Sequence, residues 1–201
     1  MRDGEMKVLV ACEFSGTVRD AFAKTGHYSV GCDLLESESH IDGMYYQGDV
    51  FDIIKYWKWD LIIAHPPCTY MCVAGNRSYA NTELRETAIA WTNTLWDECI
   101  KYSSRVCFEN PVGVLTIPKV KPIYIQPYQF GHMETKKTGI WLHNLPRLKE
   151  TNNVREQMIL LPEKVRNRIH HMAPSKDRGK KRSIFYSGIA AAMVEQWGNL
   201  T

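Results

Sequence analysis

The sequence has no uninterrupted apolar run long enough to span a bilayer. It also lacks the succession of basic segment, apolar segment and cleavage site that marks a secretory leader. Met1-Arg2-Asp3-Gly4-Glu5 leads straight into the strand-like Lys7-Val8-Leu9-Val10-Ala11. A cytoplasmic location and no membrane partner are therefore expected. No internal repeat and no low-complexity tract is present, which excludes solenoids and fibrous chains. Metal signatures are missing as well. Cys68 and Cys72 have no second ligand pair, and His170-His171 alone does not make a site, so no metal is expected. The six cysteines fall largely inside apolar strand-like runs, where a reduced buried thiol is ordinary, and no disulfide scaffold is expected.

What is present is the composition of a globular domain. Hydrophobic residues make up 44% and charged residues 23% of 201 positions, enough for one core. The net charge of +3 excludes a histone-like polycation. The charge is uneven, however. Arg147 to Arg182 holds 11 basic and 4 acidic residues, a local +7, whereas residues 1–146 are faintly acidic. That asymmetry points to an anionic partner.

Strand-like and helical stretches alternate along the first two-thirds. Val8–Cys12, Tyr28–Cys32, a weaker strand closed by Gly48-Asp49, Asp60–Ala64 and Arg105–Glu109 read as strands. Ile123–Gln126 and Gly139–Leu142 are shorter candidates. The clearest helix spans Thr82 to Tyr102, with Asn81 as N-cap and Leu84, Ala88, Trp91, Leu95, Cys99 and Tyr102 on one face. A helix from Ile184 to Trp197 puts Ile189, Ala192, Met193 and Trp197 together. Such alternation predicts an α/β fold with an open, mostly parallel sheet flanked by helices. Chemistry in such sheets sits at the carboxyl ends of the strands.

The strand ends carry the candidate residues. Glu13-Phe14-Ser15-Gly16-Thr17 follows the first strand; its glycine suits either close approach of a ligand or a plain turn. Asp33 ends the second strand, with Glu36 and Glu38 nearby, at the distance where dinucleotide sites place a ribose-binding acid. Asp49 fits either an acceptor for an exocyclic amine or the N-cap of the next helix. Pro66-Pro67-Cys68 fixes a thiol at the end of the fourth strand, as a nucleophile or as a structural cysteine. Glu109, before Asn110-Pro111, is either an acid facing that thiol or the cap of a turn.

Phe14-Ser15-Gly16, Gly48-Asp49-Val50, Pro66-Pro67-Cys68 and Glu109-Asn110-Pro111, in this order, resemble the motifs of cytosine-5 DNA methyltransferases. Thr69 to Gly75 resembles the family's loop after the nucleophile, and Tyr186-Ser187-Gly188 its last motif. The short chain, with Lys136-Lys137-Thr138 and Pro174 to Arg178, is similar to compact phage-encoded members, which would place it in the bacterial host cytoplasm. The resemblance covers about residues 7–113 and 183–198. It implies a Rossmann-like fold binding S-adenosylmethionine through Phe14, Ser15, Gly16, Asp33, Asp49, Pro67 and Ser187. It implies that Cys68 attacks C6 of cytosine while Glu109 acts at N3, and that the methyl group goes to C5. Asn110, Lys136, Lys137, Lys176 and Arg178 would face the substrate: DNA, as a duplex with a flipped cytosine or as a single strand. The implied division is a catalytic core at 1–130, a short basic recognition insertion at 131–182 and a closing helix at 183–201. A free cytosine nucleotide, or an inactive DNA-binding role, are the alternatives.

Four departures from the family pattern stand out. Val18 and Arg19 occupy the places of two glycines, and Leu34 follows Asp33 where an aromatic residue is common. The arginines that help hold the flipped base have no match beyond Lys136 and Lys137. The stretch available for target recognition is only residues 131–182.

Overall fold

Val8-Leu9-Val10-Ala11 is fully buried on both faces, as a central parallel strand requires. The computed structural model describes residues 4–41 and 43–200. The strands are β1 (Lys7–Ala11), β2 (Tyr28–Asp33), β3 (Met44–Gln47), β4 (Leu61–Ala64), β5 (Val106–Pro111), β6 (Ile123–Ile125) and β7 (Thr138–His143). Their order in the sheet is β3-β2-β1-β4-β5-β7-β6. Strands β1 to β5 run parallel, and β7 runs antiparallel to both neighbours. The expected open, mostly parallel α/β sheet is therefore the architecture of the chain.

The helices are α1 (Thr17–Lys24), α2 (Val50–Ile53), α3 (Asn76–Tyr79) and α4 (Glu83–Tyr102), then α5 (Arg155–Ile159), α6 (Glu163–Arg166), α7 (Arg168–His171), α8 (Arg178–Ser183) and α9 (Ser187–Trp197). Alternate strand residues serve opposite layers. Leu9, Ile62, Val106 and Phe108 pack with Leu95, Trp96 and Cys99 of α4. Val8, Val10, Ile63 and Ile140 pack with Phe22 of α1 and with Ile189, Met193 and Trp197 of α9. The inward face expected for α9 is buried throughout.

Helix α4 departs from its expected face. Leu84 is exposed and Arg85 is buried instead. The Arg85 guanidinium turns inward because it has partners there: Nε donates to the Tyr70 carbonyl at 2.8 Å and Nη2 to Asn76 Oδ1 at 2.9 Å. It thereby ties the loop after Cys68 to the helix. Thr82, not Asn81, stands at the N-cap, without a side-chain capping bond, and Asn81 takes a left-handed φ of 58°. Within the stretch 131–182, residues 138–143 form a strand of the sheet, so only 144–182 lies outside it among the residues after β7 and before the closing motif.

Gly188, the second residue of α9, lies hard against the segment 130–132. A Cβ there would lie 1.9 Å from the Phe130 carbonyl oxygen, and the Gly188 N–H donates to His132 Nε2 at 2.9 Å. Gly188→Ala is expected to cost about 2 kcal/mol through overpacking. Urea unfolding measures it, and an unchanged midpoint would contradict this packing.

Candidate active site

The strand order reverses between β1 and β4, and ligands of open α/β sheets bind at such a switch point. At the end of β1 the chain turns out through Cys12, whose φ of 58° is left-handed. Glu13 is buried beneath the turn. Its carboxylate accepts the Val18 N–H at 3.0 Å, the Arg19 N–H at 3.4 Å and the Ser15 hydroxyl at 2.9 Å. Burial pushes the Glu13 carboxyl up, and these bonds together with the nearby His65 oppose the rise. The helix N-terminus that often cradles a phosphate is thus satisfied from within. Gly16 has a φ of 72°, and a Cβ there would lie 2.6 Å from Ser39 Cβ.

Arg19 has a structural role. It is fully buried, pairs with Asp20 and donates through Nη2 to Ser39 Oγ and, at 3.0 Å, to the Ile41 carbonyl. It pins the loop between β2 and β3 over α1. Asp33, half-buried at the end of β2, accepts the Leu35 N–H at 2.9 Å. Burial pushes its carboxyl up, against the backbone N–H groups of Leu35, Leu34 and Phe14 and the charge of His65. Asp49 is exposed and caps α2 by accepting the Phe51 N–H at 2.9 Å.

The second half of the site lies at the ends of β4 and β5, which pair in parallel through Ile62–Val106, Ile63–Cys107 and Ala64–Phe108. This register brings His65-Pro66-Pro67-Cys68 beside Glu109-Asn110. The buried Asn110 donates through Nδ2 to the Pro66 carbonyl at 2.7 Å. His65 Nδ1 lies 3.1 Å from Glu109 Oε2, with both side chains about nine-tenths buried. Two polar atoms of this cluster, His65 Nε2 and Asn110 Oδ1, are buried without a protein partner. Unsatisfied buried groups are rare, and a catalytic role or a bound water or ion is among the usual reasons for one.

Burial acts to raise the Glu109 carboxyl. The His65 bond and the charges of Lys136 and His65 outweigh it and hold the carboxyl below its ordinary value. Cys68 and Cys72 are hydrogen-bonded through their side chains, on a turn closed by the Cys72 N–H to the Cys68 carbonyl at 2.9 Å. That bond pushes the Cys68 thiol up, as do burial and the charges of Cys72 and Glu109, while Lys136 lowers it. The same bond takes Cys72 down to about 6 against its burial. The N–H groups of Gly75 and Ala74 and the charge of Arg182 help. Of the pair, Cys72 is therefore the thiol moved down and Cys68 the one moved up.

The remaining expected residues divide between this site and the surface. Lys136 acts on both Cys68 and Glu109, and its Nζ donates to the Arg182 carbonyl at 2.9 Å. Lys137 is exposed and lies over the Tyr124 ring, 4.5 Å from its centroid. Pro67 and Lys176 are exposed and Arg178 is half-buried at the start of α8. Ser187 is the exposed first residue of α9, a helix that packs against α1. Phe14 is buried, with Lys180 Nζ 5.2 Å over its ring and Lys180 paired to Glu38.

Two residues of the site are not among those the sequence motifs single out, His65 and Cys72, yet their signals are present: His65 directly precedes the diproline, and Cys72 follows Cys68 by one helical turn. Among the described residues, no group of three or more His, Cys, Asp and Glu side chains could hold a metal ion. None of the helices described is long and apolar enough to cross a membrane.

No family model matches the sequence, and no curated protein matches it either. Solved structures do. One described as a DNA modification methyltransferase encoded within an E. coli prophage is 15% identical over 79% of this chain, with a TM-score of 0.49. The bifunctional kinase-methyltransferase WbdD is 14% identical over 73%, and the Entamoeba histolytica methyltransferase EhMeth 11% over 74%, each with a TM-score of 0.49. The chain spans 56%, 36% and 57% of the length of these three structures. The likeness is one of fold. The sheet, mostly parallel with β7 reversed, brings the ends of β4 and β5 together and with them the His65–Glu109 pair.

Alkylation by iodoacetamide tests the thiol pair. Cys72 is expected to react with a midpoint near pH 6, and Cys68 to lag until alkaline pH because the thiolate is the nucleophile. Peptide mapping after brief labelling at pH 7 reads both. Faster labelling of Cys68 than of Cys72 would contradict the assignment.

Proposed function

We propose that this protein transfers a methyl group from S-adenosylmethionine to C5 of cytosine in DNA, with Cys68 as nucleophile. The observation that carries the reading is the Cys68–Glu109 arrangement. A thiol and a carboxyl stand at the ends of adjacent parallel strands, locked by the Asn110–Pro66 bond, with Lys136 acting on both.

The donor set suits the cofactor. Its adenosine hydroxyls and amine need acceptors, and its sulfonium and ammonium groups are cationic. The first three strand ends offer Glu13, Asp33 and Asp49, while the α1 N-terminus, already satisfied by Glu13, is not set up for a phosphate. Phe14 would face the adenine, Asp33 the ribose and Asp49 the adenine amine. Ser15 and Gly16 would bring the turn close, and Pro67 and Ser187 would border the pocket. Lys180 must leave the Phe14 ring for adenine to lie there. When bound, the cofactor supplies an electrophilic methyl group.

The protein's own residues make the cytosine ring ready for it. Cys68 Sγ must lose its proton to bond to C6, and the neighbouring Cys72 sulfur is the group placed to take it, against the two backbone N–H groups and Arg182 that favour its charged form. The Cys68 sulfur then bonds to C6. Glu109 protonates or hydrogen-bonds N3, so the added electron density collects at C5 rather than on the ring nitrogen. After methylation the C5 proton passes to a water molecule as the Cys68 thiolate departs, which restores the aromatic ring. A base inside a duplex is out of reach, so the cytosine is flipped out or presented on a single strand. Lys176 and Arg178, in the basic stretch, would face phosphates, as would Lys137. Asn110 would border the base.

A fluorinated cytosine in duplex DNA, incubated with cofactor, is expected to leave a covalent adduct on Cys68, read by mass spectrometry. Cys68→Ser should lose the adduct yet bind cofactor in calorimetry, and Glu109→Gln should lower kcat roughly 100- to 10,000-fold. Labelled cofactor offered with duplex DNA, single-stranded DNA or dCMP identifies the substrate. Label in dCMP alone overturns the DNA assignment, and a fully active Cys68→Ser overturns the nucleophile.

A further inference from the structure

We propose that His65 is a positioning residue for Glu109: its Nδ1 fixes Glu109 Oε2 and leaves Oε1 as the oxygen that meets the substrate ring. The proposal rests on the reading of the reaction given above and adds a residue to it. The contact joins β4 to β5 across 3.1 Å. An ionised carboxylate only accepts, so Nδ1 carries the proton that is donated. Nε2 is then turned away from Glu109. It is buried with no protein partner.

The imidazole is held from several directions. Pro66 restricts the His65 backbone to extended conformations. The Phe185 ring lies against it, centroid to centroid 4.8 Å. Glu109 closes the remaining side. Because Asn110 also binds the Pro66 carbonyl, the same two strands are tied twice within two residues. The backbone that leads into Cys68 is thereby fixed to β5 at His65 and at Pro66.

The charges facing the pair come from every neighbouring element. Glu13 lies in the turn after β1 and Asp33 at the end of β2, and both feel His65. Lys136, just before β7, acts on Glu109. Burial alone would drive the Glu109 carboxyl up, and the His65 bond is first among the effects that bring it down. To serve N3, Oε1 must first take up a proton from water; when it passes that proton on, the charge left on the carboxylate finds Nδ1–H already bonded to Oε2. When Cys68 departs, N3 returns that proton to Oε1. His65 thus governs both the aim of the carboxyl and the stability of its charged form.

Three full-length proteins test this: the unmodified chain, His65→Ala, and His65→Asn, whose amide can still donate to Oε2. His65→Ala is expected to lower kcat about 100-fold while cofactor affinity holds. It should also move the alkaline limb of the kcat profile up by about one pH unit or more, because Glu109 acts on N3 in its protonated form. His65→Asn should recover most of kcat. Carboxyl-carbon NMR of the proteins without substrate follows Glu109 directly, and its titration should rise in His65→Ala. An unmoved titration together with an unchanged kcat overturns the proposal. A titration that moves in a protein unable to transfer methyl upholds the pair and overturns the reading of the reaction instead.

Discussion

The bond from Asn110 Nδ2 to the Pro66 carbonyl, 2.7 Å long, is the constraint on which the site depends. Strand β4 cannot continue past Ala64, because two prolines in succession offer no N–H to a neighbouring strand. Their carbonyls still need donors, and a buried acceptor left without one costs roughly 1–3 kcal/mol. Asn110, fully buried on β5, supplies the donor. The consequence is geometric. The loop that leaves β4 is anchored to β5 at the level where Glu109 projects, so Cys68 and Glu109 inherit a separation set by backbone rather than by flexible side chains.

Around that anchor the electrostatics sort the titratable groups. Glu109 is buried and yet its carboxyl is held below the ordinary carboxylate range, because His65 and Lys136 outweigh desolvation. Glu13 and Asp33, farther toward β1 and β2, are pushed the other way by burial. The two thiols divide in the same manner. Cys72 sits at the start of a short turn whose N–H groups favour a thiolate, and Cys68 sits beside the Glu109 charge, which disfavours one. Neighbouring groups of one kind are driven apart, which is how a site obtains both a proton donor and a proton acceptor near neutral pH.

The architecture was legible in the sequence to within a residue or two at most strand ends. Buried parallel strands such as Leu-Ile-Ile-Ala at 61–64 are unbroken apolar runs, and prolines and glycines punctuate them. The inward side of α4 was less legible, since hydrophobic spacing favoured Leu84 over Arg85. Only the carbonyl of Tyr70 and the amide of Asn76 explain why a guanidinium turns in. Arg19 shows the same limit. Its neighbours Ser39 and Ile41 are some twenty residues away in sequence and meet it only after the β2–β3 loop folds back. Ordered motifs marked Cys68 and Glu109 as candidates. His65 was hidden in plain sight, because nothing in a run of His-Pro-Pro-Cys tells which carboxylate the imidazole will reach.

The basic stretch identified by charge alone acquires a specific geometry. Lys180 of α8 lies over Phe14 and pairs with Glu38, on the side of β1 and β2. Two residues further on, the Arg182 carbonyl accepts from Lys136, and the Arg182 charge acts on Cys72, on the side of β4 and β5. One turn of chain therefore reaches both halves of the switch point. Surface ion pairs of this kind contribute little to stability, about 0–1 kcal/mol each, so the segment is held in place by weak contacts. It follows that the local +7 is better matched to an exchangeable anion than to a fixed structural role. A phosphate chain arriving at Lys176 and Arg178 would compete with Glu38 for Lys180, and in doing so would uncover the Phe14 face.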